Sequence, residues 1–136
     1  MNTKNYTIVE CAGGIVKNKN RIALIKMKNV PGWGFPKGGI DNDEIPLDTA
    51  RREILEETGI KDVSFIKELE IYQRPAADGQ PKLLNIKMFI FETDQEEISP
   101  IENDVIDAQW FSINEVLNVL SLEDDKKFFL SIINII

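Results

Sequence analysis

At 136 residues, with 43% hydrophobic side chains, the chain is sized for a single domain (residues 1–136) and is too apolar for wholesale disorder. A net charge of −7 disfavours a general grip on nucleic-acid phosphates, so no nucleic-acid partner is expected. There is no histidine, which excludes Ser-His-Asp and Cys-His catalysis and histidine-containing zinc sites. Carboxylates are left to do any metal binding or proton transfer.

Met1 to Tyr6 is polar and carries no signal-like apolar stretch. Tyr6 to Val16 reads as a strand with a break at Gly13-Gly14, where backbone is expected to approach something closely. Its Cys11, the one cysteine, has no partner for a disulfide and no histidine to act as its base. It reads as a small buried residue of a protein kept in a reducing cytoplasm. Lys19-Asn20 forms a hairpin turn into a second strand, Arg21 to Met27. Val30 to Gly39, rich in glycine and proline, is a loop or an irregular strand.

Pro46 to Thr58 is a helix, with proline at its first position, Asp48 in its first turn and Gly59 as its stop. Lys61 to Gln73 and Lys82 to Thr93 are strands joined by the Arg74 to Pro81 loop, and a short strand ends at Trp110-Phe111. Ser112-Ile-Asn-Glu115 has the form of a capping box for a helix from Ile113 to Leu120. Ser121 and Asp124 mark a second cap, with a helix running on to the C-terminus. The order implies an α/β fold, a mixed sheet with helices on both faces. No apolar run approaches the roughly 20 residues of a membrane helix, so no membrane partner is expected.

Charge is concentrated between Gly38 and Ile60, where seven acids and two arginines net −5. On a helical wheel Leu47, Ala50 and Ile54 share an apolar face, while Glu53, Glu56 and Glu57 crowd an adjacent arc at spacings of three and four. Like charges so placed repel. Two readings are open: a solvated acidic face, or carboxylates gathered around a hard divalent cation, which prefers oxygen ligands.

The spacing decides between them. Gly38, Glu44, Arg52, Glu53, Ile54, Glu56, Glu57, Gly59 and Ile60 match the Nudix box, here residues 38–60. Seven strict identities would arise by chance roughly once in 10⁸ starts at ordinary residue frequencies. More weakly, Cys11-Ala-Gly-Gly-Ile resembles the first strand of that family. Trp33-Gly-Phe-Pro-Lys-Gly38 resembles the approach to the box in diadenosine polyphosphate hydrolases, and Asp104 to Phe111 the late strand ending in Trp-Phe.

The resemblance implies a Nudix-type α/β/α sandwich and metal-dependent attack of water on a diphosphate, with Mg²⁺ or Mn²⁺ as cofactor. Carried onto this chain, Glu53, Glu56 and Glu57 ligate metal with a backbone carbonyl near Lys37-Gly38, and Glu53 is the general base within the box. Glu44 and Arg52 form an ion pair holding loop to helix, and Gly38 and Gly59 serve backbone geometry. This chain departs from the family in having Ile45, rather than serine or threonine, before Pro46. It also has Asp104, Asp107 and Glu102 where a second catalytic glutamate is common. Asp104 is the catalytic candidate outside the box, beside the plainer reading of an acidic loop residue.

Lys37 is a candidate phosphate contact, and Arg74 a second. Trp33, Phe35 and Tyr72 are candidates to stack a base, against the commoner fate of core or rim packing. The expected partner is a small-molecule nucleotide substrate, a dinucleoside polyphosphate or nucleoside triphosphate first. ADP-ribose or a nucleotide sugar comes next, and a non-catalytic nucleotide-sensing module is the rival from another class.

The C-terminal run of Phe128, Phe129, Leu130, Ile132, Ile133, Ile135 and Ile136 is apolar nearly all round. It either folds back into the monomer core or joins a homodimer.

Overall fold

The structure, a computed structural model, describes residues 5–136, so the first four residues of the polar N-terminal stretch lie outside it. Its strands are β1 (Thr7–Asn18), β2 (Arg21–Met27), β3 (Trp33–Gly34), β4 (Lys37–Gly39), β5 (Ser64–Glu68), β6 (Tyr72–Pro75), β7 (Lys82–Glu92) and β8 (Val105–Ser112). The helices are α1 (Pro46–Thr58), α2 (Ile113–Val119) and α3 (Glu123–Ile132), closed by a short 3₁₀ turn at Ile133–Ile135.

All eight strands form one sheet with the path β3-β2-β1-β7-β5; β4 pairs β1, β6 pairs β7, and β8 pairs β2. The central pair, β1 with β7, runs parallel from Thr7↔Lys82 to Lys17↔Glu92, and the other pairings are antiparallel. The sheet is therefore mixed, as the element order implies.

Strand alternation sorts the core into two layers. Cys11, Ile15, Ile22, Leu24, Ile86, Met88 and Ile90 pack with Val116, Leu120, Phe128, Phe129 and Ile132 of the two later helices. Their neighbours Ala12, Val16, Ala23, Phe89 and Phe91 pack on Ala50 and Ile54 of α1. The result is the expected α/β/α sandwich. No helix among the described residues is long and apolar enough to cross a membrane.

Three details differ from the sequence expectation. β1 runs unbroken through Gly13-Gly14 to Asn18; the close approach is real, because a Cβ on Gly13 would lie 2.2 Å from the Pro36 carbonyl oxygen. The single strand expected over Lys61 to Gln73 is two, both paired with β7, with a register shift between Phe65 and Lys67. The chain leaves the ladder at Leu69, whose side chain turns into the core while its amide still bonds Met88. Ser121 does not cap α3, which starts after Leu122; its hydroxyl donates instead to the Pro31 carbonyl. The Ser112–Glu115 pair does form, the carboxylate accepting from both the amide and the hydroxyl of Ser112.

The last helix spends Phe128, Phe129 and Ile132 inside the monomer and half-buries Ile133 and Ile136. What stays outside for a partner chain is Leu130 and Ile135, both more than half exposed. That apolar surface is smaller than the sequence implies.

The feature that shapes the site is a parting of strands. β1 and β2 pair at Lys17↔Ile22 and Asn18↔Arg21; farther along, β4 takes the edge of β1 at Cys11 to Gly13 while β3 lies on β2 at Ile25 and Lys26. The wedge opens a cavity of about 230 Å³ lined from both sides, by Val9 and Cys11 on one and Ile25 and Met27 on the other.

Gly59 ends α1 in the left-handed conformation (φ 74°), its amide bonded to Leu55 and its missing Cβ replaced by the Ser99 carbonyl oxygen, 2.2 Å from where a Cβ would stand. Gly59→Ala is expected to lower unfolding free energy by at least about 1–2 kcal/mol from backbone conformation alone. Urea denaturation checks this, and an unchanged midpoint would overturn it.

Candidate active site: a carboxylate helix against a glycine strand

α1 starts without a side-chain cap at Ile45, but with Pro46 at its first turn and a substitute anchor one residue earlier. Glu44 Oε1 accepts from the Thr49 hydroxyl (2.6 Å), Arg52 Nη2 (3.0 Å) and the Asp41 amide (3.2 Å), and its Oε2 from Arg52 Nε (2.9 Å). Bonds from Arg52, then Thr49, hold its carboxyl down at about 2. The expected Glu44–Arg52 pair is present and does more than join loop to helix. Arg52 Nη2 also donates to the Gly39 carbonyl, and Nη1 donates to Glu53 Oε1 (2.8 Å) and Glu56 Oε1 (3.1 Å).

Glu57 is 3% exposed and accepts the Lys37 amide at 2.8 Å. Burial pushes its carboxyl up to about 8, against the pull of the Lys37 ammonium and with a further push from Glu53. Glu53 is also raised, first by burial and then by Glu56, with Arg52 opposing. Gly38 lies so close that a Cβ there would stand 2.2 Å from the Glu53 carboxyl carbon. Gly38 is thus required by proximity, not by the backbone geometry that the resemblance implies.

Among the described residues no three carboxylates converge on one point; Glu53 and Glu56 turn to Arg52 Nη1, and Glu57 to the Lys37 amide. The donor set nonetheless fits a hard cation. It is all carboxylate oxygen, two members carry raised pKa values that a neighbouring positive charge would relieve, and a cationic nitrogen already bridges Glu53 and Glu56.

β4 connects this face to the other. Gly38 pairs with Ala12 and faces α1, whereas the next residue over, Lys37, lines the cavity with Arg74 and Trp33. Burial, then Arg74, lowers the Lys37 ammonium. Trp33 is half-buried, edge-on to Phe111 at 4.9 Å, and forms part of the cavity wall. Phe35 and Tyr72 correct the stacking expectation. Phe35 is fully buried against Phe128 and Phe129, though it still borders the cavity, and Tyr72 is half-buried with one face stacked on Phe128 at 4.2 Å and does not line it, so both rings are engaged with the core.

Arg74 lies on β6, not on a loop, and is buried. Its Nε donates to Asp125 Oδ1 at 3.0 Å, where the Tyr72 hydroxyl also donates at 2.7 Å. Asp104 is exposed, and its carbonyl accepts the Lys28 amide; the segment docked on α1 is 101–102, whose amides reach the Glu56 carbonyl. Cys11 is buried and its thiol is raised by burial, in keeping with a core residue.

A NUDIX domain model matches residues 9–131. The chain belongs to the Nudix family. An RNA pyrophosphohydrolase of Bartonella bacilliformis is 60% identical over 38 residues, covering 28% of this chain and 22% of that protein. A putative 8-oxo-dGTP diphosphatase of Bacillus subtilis is 39% identical over 69 residues, covering 51% of this chain and 46% of that protein. In both cases this Nudix chain matches less than half the length of its curated relative. By structure, a C. elegans Ap4A hydrolase superposes with a TM-score of 0.78 at 17% identity, covering 93% of this chain and 96% of that one, a likeness of fold.

Sequence reasoning missed Thr49 and Asp125. Thr49 is buried and completes the bonds of Glu44. A signal for Asp125 was available: with Phe128, Phe129 and Ile132 it occupies i, i+3, i+4 and i+7, which puts a carboxylate on the buried stripe of α3.

Glu44→Gln is expected to lower the melting temperature at least as visibly as activity, since it weakens the anchor that replaces a helix cap. Wild-type melting with no activity would instead make Glu44 catalytic. Glu57 gives a pH signature. A carboxyl raised in the folded state contributes stability below its ordinary value of 4.5 that is lost as pH rises toward about 8. In chelator, wild type should therefore lose stability relative to Glu57→Gln between pH 5 and pH 8. Parallel urea-denaturation series across that range would contradict the assignment.

Proposed function

We propose that this Nudix chain is a diphosphohydrolase that cleaves a phosphoanhydride bond in a small nucleoside-diphosphate-linked substrate, using Mg²⁺ or Mn²⁺. The observation that carries the reading is the crowding of Glu53, Glu56 and buried Glu57 against the Lys37–Gly39 strand, beside a cavity with three cationic residues, Lys37, Arg74 and Lys82, in its lining.

Glu53, Glu56 and Glu57, with a backbone oxygen near Lys37-Gly38, are the residues that would hold the cation. When bound, it withdraws charge from phosphate oxygens and lowers the pKa of an attached water. The chain's own groups do the rest. Glu53 takes the proton of the attacking water; the water oxygen bonds to phosphorus as the bridging P–O bond breaks, and the leaving phosphate carries off the electron pair. Lys37 and Arg74 offset phosphate charge from the cavity side. Glu57, through the Lys37 amide, fixes the strand that separates the two. Asp104 is the other proposed base, and Glu53→Gln against Asp104→Asn distinguishes them by which abolishes turnover.

A net charge of −7 and a cavity of about 230 Å³ favour a small ligand over a polymer. Dinucleoside polyphosphates and nucleoside triphosphates are the first substrates to try, then ADP-ribose and nucleotide sugars. A nucleotide-sensing module would not need three crowded carboxylates.

Turnover of a diphosphate panel, with products identified by mass, should require divalent cation and fall by at least about 100-fold in Glu56→Gln or Glu57→Gln. Full turnover in excess chelator would refute the reading.

A further inference from the structure

Of the cations in the cavity lining, Arg74 alone is buried, and its guanidinium is fixed at two corners. Nε donates to Asp125 Oδ1 at 3.0 Å, and Nη1 donates to the Pro75 carbonyl at 2.9 Å. Bonds at two nitrogens of a rigid plane fix the direction of the third. That third nitrogen, Nη2, donates to nothing among the described residues. The buried side-chain atom without a partner is Asp125 Oδ2, so Nη2, equally unpartnered, is not sealed off from the cavity.

An arginine beside a carboxylate commonly closes a fork, with Nε and Nη2 donating in parallel to the two oxygens. This pair does not. Oδ1 accepts both Arg74 Nε and, at 2.7 Å, the Tyr72 hydroxyl, while Oδ2 accepts nothing. Tyr72 is held in turn, its ring stacked on Phe128. Burial, and then the Asp125 carboxylate, push its phenol well above the usual range, so the hydroxyl stays a donor. Tyr72 does not line the cavity, and any effect it has on a ligand passes through Asp125.

We propose that Tyr72 is a positioning residue: by drawing the Asp125 carboxylate onto one oxygen, its hydroxyl keeps the Arg74–Asp125 fork open and leaves Arg74 Nη2 free to donate to a phosphate oxygen in the cavity. The inference rests on the reading of Arg74 as a phosphate contact and assigns what that contact depends on. A closed fork would consume Nη2 and neutralise the pair within itself. The open one keeps a donor aimed before the ligand arrives, so little ordering remains to be done on binding. Asp125 still supplies the counter-charge that a buried guanidinium needs. The unpartnered Oδ2 is destabilising, and it is the mark of a pair held short of its own best geometry.

The test reads binding of inorganic phosphate to the full chain in chelator, by phosphorus NMR titration, so that neither metal nor turnover enters. Tyr72→Phe keeps the ring and its stack and removes only the hydroxyl. It should weaken phosphate binding about tenfold, the scale of one charge-assisted hydrogen bond. Adding Asp125→Asn to Tyr72→Phe leaves a side chain with one acceptor oxygen, which cannot close the fork, and affinity should return to within about threefold of wild type. A merely structural Tyr72 predicts the reverse order, because the double variant removes more of the network. On a diphosphate that the chain cleaves, Tyr72→Phe should raise KM and leave kcat nearly unchanged. A wild type that binds no phosphate, a Tyr72→Phe chain that binds it as wild type does, or a folded double variant without recovery would overturn the proposal. If the double variant does not fold, the single one decides. A chain that hydrolyses no diphosphate can still show the loss of phosphate binding, which would sink the catalytic reading alone. Hydrolysis with phosphate binding untouched by Tyr72→Phe would sink this inference alone.

Discussion

One guanidinium organises the catalytic face. Arg52 spreads its nitrogens over Glu44, Glu53, Glu56 and the Gly39 carbonyl, and so ties the loop before α1, the helix itself and strand β4 together. Without that positive charge, Glu44, Glu53 and Glu56 would repel across a few ångströms. With it, the approach of β4 to the helix is close enough that Gly38 can carry no side chain. Arginine suits the position because its fork of donors is planar and rigid, where a lysine would offer one mobile point charge.

From β4 onward, the period of two along a strand divides the labour. Gly38 meets the carboxylates of α1, and Lys37 lines the cavity on the α3 side while its amide holds Glu57. The proposed hydrolytic site and the cavity therefore meet at two consecutive residues of one short strand, and Gly38 borders both. A change in the cavity lining can alter which ligand binds without touching the carboxylates.

The helix from Pro46 to Thr58 and its acids were legible because their information is local: a proline start, a glycine stop, and spacings that act within one helix. The split of Lys61 to Gln73 into two strands was not, because it depends on Leu69 meeting the core from a partner strand that lies elsewhere in the chain. Tyr72 and Phe35 misled for a related reason. An aromatic near a loop looks the same in sequence whether its face is free or already engaged, and here Phe128 packs on both rings and Phe129 on Phe35. Arg74 and Asp125, 51 positions apart, are each ambiguous alone and become a pair only once β6 and α3 are packed together.

The parting of β1 from β2 has a mechanical consequence. The two strands are hydrogen-bonded only at the hairpin end, so the mouth of the cavity is set by an angle and not by the bulk of any one side chain. From Lys17 to Val9 the arm is about 26 Å at the rise of an extended strand. On an arm of that length a rotation of about 5° at the hairpin moves the far end by about 2 Å, roughly half the spacing between paired strands. β3 on one arm and β4 on the other are joined through only Phe35 and Pro36, so that short connection holds the angle.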